Sequence, residues 1–213
     1  MIYKVIKTLT NSGIKDITIV LGGESVGDFI RLLGDGSEFN VNLNYVYQQK
    51  AGGIAEALYL TRKIVRGHKV AVILGDNIFE DLFQMEFEEF ETSNSYDCYL
   101  FLKSVKDPER FGVAELNNDG TIRSIEEKPK KPKSNYAVTG LYLYDENIFD
   151  IIKKVINEIG YSNRDELEIT DVNNYYLKNG KTRAIIINGF WSDAGKFETL
   201  LKSSNFIKSS MNK

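Results

Sequence analysis

Residues 69–83, KVAVILGDNIFEDLF, constrain the fold more tightly than any other stretch of the chain. Val70, Ala71, Val72, Ile73 and Leu74 run without a polar break into Gly75, Asp76 and Asn77. An unbroken aliphatic run of this length predicts a strand buried on both faces, the pattern of a parallel sheet covered by helices. Open α/β sheets keep their ligands outside the carboxyl ends of their strands. Asp76 therefore stands where chemistry is expected.

The flanking sequence repeats the strand–helix alternation. Ile2, Val5, Ile6 and Leu9 share one face of a helix over 2–10, and the spacing predicts strands at 16–22 and 42–48. Helices are predicted at 25–34, 53–65 and 80–91. Such alternation specifies parallel strands joined by right-handed crossovers. The second half changes character. Strands at 97–103, 111–116, 121–128 and 136–145 follow with little helix between them, and Asn117–Gly120 reads as a hairpin turn. Helices at 146–158, with Ile148, Ile151, Ile152, Val155 and Ile159 inside, and at 166–180 precede a strand at 182–188. A helical tail starts at Lys196. The whole reads as one mixed α/β domain with an inserted, partly antiparallel subregion.

Composition removes several chemistries. The 213 residues are 42% apolar and 27% charged, an ordinary globular balance. A net charge of −3 and a pI near 5.4 argue against a general nucleic-acid binder. No membrane-length apolar run and no signal peptide occur, and a lone Cys98 forms no internal disulfide, so the cytoplasm is the expected compartment. One histidine, His68 in a turn-like RGHK, and one cysteine in a strand leave no material for a Cys/His zinc site. They leave little for a Ser-His-Asp triad. Carboxylates, lysines, arginines and glycines remain, the materials of magnesium and phosphate chemistry.

Asp76 ends one apolar strand, and Asp193 follows another in NGFWSDAGKFETL. Two such aspartates brought together could share a Mg²⁺; each could equally cap the helix that follows it. Gly52 and Gly53 precede a helix whose N-terminus would favour an anion, or they form a plain loop. Glu126, Glu127 and Lys128 end a strand before Pro129. Arg110 in DPERFGV and Arg164 in SNRDELEIT sit beside acids, as surface ion pairs do.

Taken in order, LLGDGSEF, LGDNIF, DPERFGV, EEKP, PKSNYAVTGLYLYD, ELEITDVNNYYL and WSDAG resemble the glucose-1-phosphate thymidylyltransferases, from residue 1 to about residue 207. The resemblance implies a Rossmann-like nucleotidyltransferase core with an inserted sugar-binding part, a mostly parallel mixed sheet flanked by helices. Residues 1–95 would form the nucleotide-binding part, 96–195 the sugar-binding part and 196–213 a C-terminal helix. It also implies roles. Gln48, Gly53 and Ile54 match contacts to thymine and ribose, and Asp76 and Asp193 match the metal aspartates. Gly112, Glu127 and Val138 match the glucose contacts, while Lys128 and Arg164 match the grip on the sugar phosphate. Trp191 matches the tryptophan beside the metal. The implied reaction joins dTTP to glucose-1-phosphate with Mg²⁺, in a homo-oligomer with no nucleic-acid or membrane partner.

The chain also departs from that pattern. The family opens with a strand and a GGxGTRLxPxT loop, whereas this sequence starts at MIYKVIKTL, which matches the family from a later methionine. The resemblance thus implies that the first strand and phosphate loop are missing and that turnover is impaired. Gly52 replaces a usual aspartate, and Ala194 a usual threonine. A non-catalytic sugar-phosphate-binding or subunit-interaction remnant is the second reading, and a metal-dependent glycosyltransferase the third.

Overall fold

Tyr136–Tyr144 (YAVTGLYLY) is apolar in both side-chain sets, and all but its first residue are buried. A strand of that kind needs cover on both faces. In the computed structural model, which describes residues 1–211, it is the axis of the sheet. The elements in order are α1 (Ile2–Asn11), β1 (Asp16–Gly22), α2 (Val26–Leu33), β2 (Asn42–Gln48), α3 (Ile54–Leu60), α4 (Arg62–Val65), β3 (Val70–Ile73), β4 (Asn77–Phe79) and α5 (Gln84–Thr92). They continue with β5 (Cys98–Ser104), β6 (Gly112–Leu116), β7 (Ile122–Glu127), β8 (Tyr136–Tyr144), α6 (Ile148–Glu158), α7 (Ile169–Asn179), β9 (Thr182–Ile186), β10 (Trp191–Asp193) and α8 (Phe197–Met211).

Along one edge of β8 runs β5, antiparallel, with β9 parallel beyond it. The other edge forks. Leu141–Tyr144 pair with β3, whereas Ala137 pairs with Val113 of β6, which leads into the β6–β7 hairpin. Successive side chains alternate between two cores, as the period of two requires. Val138, Tyr142 and Tyr144 join Cys98, Leu100, α6 and α7 on one face, and Ala137, Leu141 and Leu143 join Tyr99, Phe101, α1 and α5 on the other. The α/β class, the mixed sheet, the buried Cys98 and the exposed His68 are as expected; the sheet around β8 is, however, mostly antiparallel rather than mostly parallel, β5–β9 being its one parallel pair among the described residues.

Four local expectations are corrected. Val70–Ile73 pairs antiparallel with β8 and is half-buried throughout, because its far edge carries no strand among the described residues and faces a cleft. The helix expected over 53–65 breaks at Thr61, whose hydroxyl donates to the Leu58 carbonyl at 2.7 Å and competes with the helical ladder. The acidic helix starts at Gln84 rather than 80, since Asn77–Phe79 pair with β10, and Glu80 and Asp81 accept the amides of Phe190 and Gly189. Ile159 is 59% exposed, because the chain turns after Glu158 through Gly160, whose φ is +79°.

Gly140 sits in the fork. Its amide donates to Asn77 Oδ1 at 3.0 Å, and its carbonyl accepts Leu74 N–H at 2.8 Å. A Cβ there would lie 2.7 Å from Leu74 Cγ and 2.8 Å from Asn77 Cγ. Gly140→Ala is expected to cost about 1–3 kcal/mol by overpacking, read as a lower midpoint in urea unfolding with an unchanged m-value.

Candidate active site

The fork in the sheet opens onto a cleft of about 1750 Å³. Asn77, 3% exposed, ties its floor together. Its Oδ1 accepts the Gly140 amide and, at 2.8 Å, the indole N–H of Trp191; its Nδ2 donates to Asp76 Oδ1 at 2.8 Å. One carboxamide thus fixes a sheet strand, a tryptophan and a carboxylate. Trp191 is buried, with its ring edge-on to Phe111 at 5.2 Å.

The short antiparallel pair β4–β10 places Asp193 opposite Asn77, and the Ala194 amide donates to the Asp76 carbonyl at 2.8 Å. This brings the two aspartates together. A methyl at Gly195 would lie 3.4 Å from Asp76 Oδ2 and 3.8 Å from Asp193 Oδ2, so both carboxylates flank one glycine. Neither caps a helix: Asp76 accepts from Asn77, and Asp193 accepts Arg110 at 2.6 Å. Burial pushes the Asp193 carboxyl above its usual range; Arg110 opposes that, and the charge of Asp76 adds to it. Arg110 also donates to Asp107 at 2.8 Å, so the expected surface ion pair is a partly buried one inside the cleft.

Opposite lies a second charged group. Glu127 pairs in register with Gly112, and its Oε2 accepts the Thr170 hydroxyl at 2.5 Å. A Cβ on Gly112 would meet that carboxylate at 3.3 Å and the hydroxyl at 3.2 Å, so glycine keeps the approach open. Lys128 has φ +45°, a conformation that costs a non-glycine residue about 1–3 kcal/mol and that clusters at functional sites. Its amide is held by the Phe111 carbonyl, and its Nζ is 3.6 Å from Glu127. Arg164 reaches Glu168 at 2.8 Å, Glu166 at 3.3 Å and Glu127 at 3.5 Å.

The third side is built from β2 and α3. Gln48, at the end of β2, donates from Nε2 to Glu56 Oε2 at 2.7 Å and to the Gly53 carbonyl at 3.3 Å. Gly53 has φ +94°, and a Cβ there would press on the Leu167 carbonyl at 2.5 Å. That contact gives the glycine a packing reason. Ile54 and Val138 complete the lining. The eleven residues to which the resemblance gives roles all border this one cleft: Gln48, Gly53, Ile54, Asp76, Gly112, Glu127, Lys128, Val138, Arg164, Trp191 and Asp193; Gly52 and Glu126 do not.

Sequence reasoning missed the roles of Arg110, Thr170 and Glu56, and gave Asn77 none. Only its place directly after Asp76 pointed to Asn77. Among the described residues no group of three or more His, Cys, Asp or Glu side chains could enclose a metal. Asp76 and Asp193 offer two hard oxygen donors, which suits an ion that keeps water and phosphate as its other ligands. The repulsion that Asp76 adds at Asp193 is what a cation between them would relieve. The donor set fits such an ion.

The nucleotidyl transferase family profile matches residues 1–210. The glucose-1-phosphate thymidylyltransferase of Neisseria meningitidis is 37% identical over all of this chain and 73% of its own length. That of Mycobacterium tuberculosis is 35% identical over 98% of this chain and 71% of its own. A Bacillus anthracis structure described as a glucose-1-phosphate thymidylyltransferase in complex with a sucrose superposes with a TM-score of 0.88 at 47% identity, covering 96% of this chain and 81% of that one. A UDP-glucose pyrophosphorylase with UDP-glucose shares the fold at a TM-score of 0.80 and 19% identity, covering 97% and 86%.

Because the folded site disfavours the charge on Asp193, the unfolded chain releases that proton more readily. The group therefore costs stability above its raised folded pKa, and the cost vanishes below 3.8. Asp193→Asn is expected to unfold at a higher denaturant midpoint than the parent at pH 7, with the gap closing as the pH falls towards 3.8. Parallel unfolding curves at the two pH values check this.

Proposed function

The chain belongs to the nucleotidyl transferase family, and we propose that its cleft joins dTTP to glucose-1-phosphate, releasing pyrophosphate and forming dTDP-glucose. The observation that carries this reading is the convergence of two carboxylates, two cationic side chains and a carboxamide on one cleft at the ends of its strands. The names of the relatives agree with it.

In this reaction an oxygen of the sugar phosphate attacks the α-phosphorus of the triphosphate, and the bond to the bridging oxygen of pyrophosphate breaks. The nucleophile is already ionised at neutral pH, so no protein base or covalent intermediate is required. The chain's task is to align two polyanions and offset their repulsion. Lys128 and Arg164 hold the sugar phosphate, exchanging glutamate partners for phosphate oxygens. Glu127 accepts from a glucose hydroxyl, Thr170 keeps its carboxylate aimed, and Gly112 and Val138 form the sugar's backbone wall. Gln48, Gly53 and Ile54 receive the base and ribose. Asp76 and Asp193 would hold Mg²⁺, which supplies Lewis-acid stabilisation of developing phosphate charge when bound. Trp191 excludes water beside them. Residues 1–95 serve the nucleotide and residues 96–195 the sugar. We place the protein in the cytoplasm as a homo-oligomer. Among the described residues no helix is long and apolar enough to cross a membrane.

The test combines turnover and binding. Pyrophosphate release from dTTP and glucose-1-phosphate with Mg²⁺ is expected to yield dTDP-glucose, and Asp76→Asn is expected to lower that rate at least about 10²-fold. Independently of chemistry, dTDP-glucose at about a hundred times its Kd should add roughly 2.7 kcal/mol to stability, seen as a Tm higher by several degrees. A protein that neither turns over these substrates nor is stabilised by the product overturns the reading. Lys128→Gly keeps the left-handed turn but removes the ammonium. It is expected to raise the KM for glucose-1-phosphate about tenfold or more while leaving that for dTTP within about twofold, as loss of a charge-assisted contact to one substrate implies.

A further inference from the structure

The Gln48 carboxamide is held with one polarity. Its two protein partners, the Glu56 carboxylate at 2.7 Å and the Gly53 carbonyl at 3.3 Å, are both acceptors without a hydrogen to give. The nitrogen of the carboxamide must face them, and Oε1 must point the other way. Among the described residues nothing donates to that Oε1, and Gln48 lines the cleft. Glu56 does not line it. Its own aim is fixed from both sides: Tyr161 donates its hydroxyl to Oε1 at 3.2 Å, and Oε2 lies where a Cβ on residue 52 would be, 1.9 Å away. Only a glycine at 52 admits the carboxylate there.

We propose that Glu56 is a positioning residue that locks Gln48 as an acceptor. The cleft then takes a pyrimidine whose ring edge offers an N–H and refuses one whose edge offers a lone pair. Thymine and uracil carry a hydrogen on N3; cytosine presents an unprotonated N3 there, and its lone pair would face the Gln48 oxygen. Without Glu56 the carboxamide can turn over and offer its NH₂ to cytosine. The clamp does not separate thymine from uracil, which share this edge. The inference rests on the reading that Gln48 faces the base.

The test is calorimetric binding of dTTP and of dCTP to the full chain and two variants, with glucose-1-phosphate turnover measured beside it. The parent should bind dTTP about a hundredfold more tightly than dCTP, since a site built to hydrogen-bond one group rejects the analogue that cannot. Glu56→Leu should shrink that ratio about tenfold or more, mainly by weakening dTTP. Glu56→Gln, whose oxygen can accept the same bond, should keep the ratio within about threefold of the parent. Equal weakening of both nucleotides in Glu56→Leu would show a merely structural role for the loop and overturn the clamp. So would a parent that binds both equally or binds neither. Selective dTTP binding without dTDP-glucose formation supports the clamp and overturns the proposed reaction instead.

Discussion

The Asn77 carboxamide bonds in three directions from a nearly sealed position, to the Gly140 amide, the Trp191 indole and the Asp76 carboxylate. Each partner belongs to a different piece of the structure: the axial strand, the short β4–β10 pair and the end of the aliphatic run. A buried amide of this kind is costly to leave unpaired, by about 1–3 kcal/mol for each orphaned group, so the three pieces hold one another in a single arrangement. The absence of a side chain at Gly140 is what lets the amide reach the sheet at all. The carboxylate geometry at Asp76 and Asp193 follows from this junction.

Around it the charges are already matched within the protein. Arg110 sits on Asp193 and Asp107, Arg164 on three glutamates, and Lys128 near Glu127. Hydrogen bonding to Glu168 raises the pKa of the Arg164 guanidinium against the effect of burial, so it stays charged. Tyr142, below the floor, is pushed upward by burial and then by Glu127 and Asp76, so it stays neutral. A site furnished in this way does not have to create charge when an anion arrives. On the proposed reading, an incoming phosphate would take the place of carboxylate partners around groups that are already charged.

Much of this was legible in the residues because its causes are local. The alternation of β8, the NNDG turn and the aliphatic run into Gly75-Asp76-Asn77 each follow from backbone and burial rules that act over a few positions. The convergence of eleven scattered residues on one cleft came from ordered motifs rather than periodicity, because spacing cannot say which strand ends meet. Arg110 was misread for the same reason: its neighbour in sequence is Asp107, but its second partner, Asp193, is 83 residues away. The half-burial of Val70–Ile73 was also invisible, because it depends on what lies beside the strand. Gly52, read as a departure from a family pattern, leaves the space that the Glu56 carboxylate fills, a contact that no local sequence rule announces.

The β4–β10 pair has a consequence for the order of events in folding. Asn77 and Trp191 are separated by 114 residues. Closing so long a loop has to be repaid by contacts that form only afterwards. During synthesis the sheet can assemble around β8 once the middle of the chain has emerged, while the two carboxylates remain strangers until the last strand leaves the ribosome. The carboxylate side of the cleft is thus completed only when β10, the last strand, has joined β4.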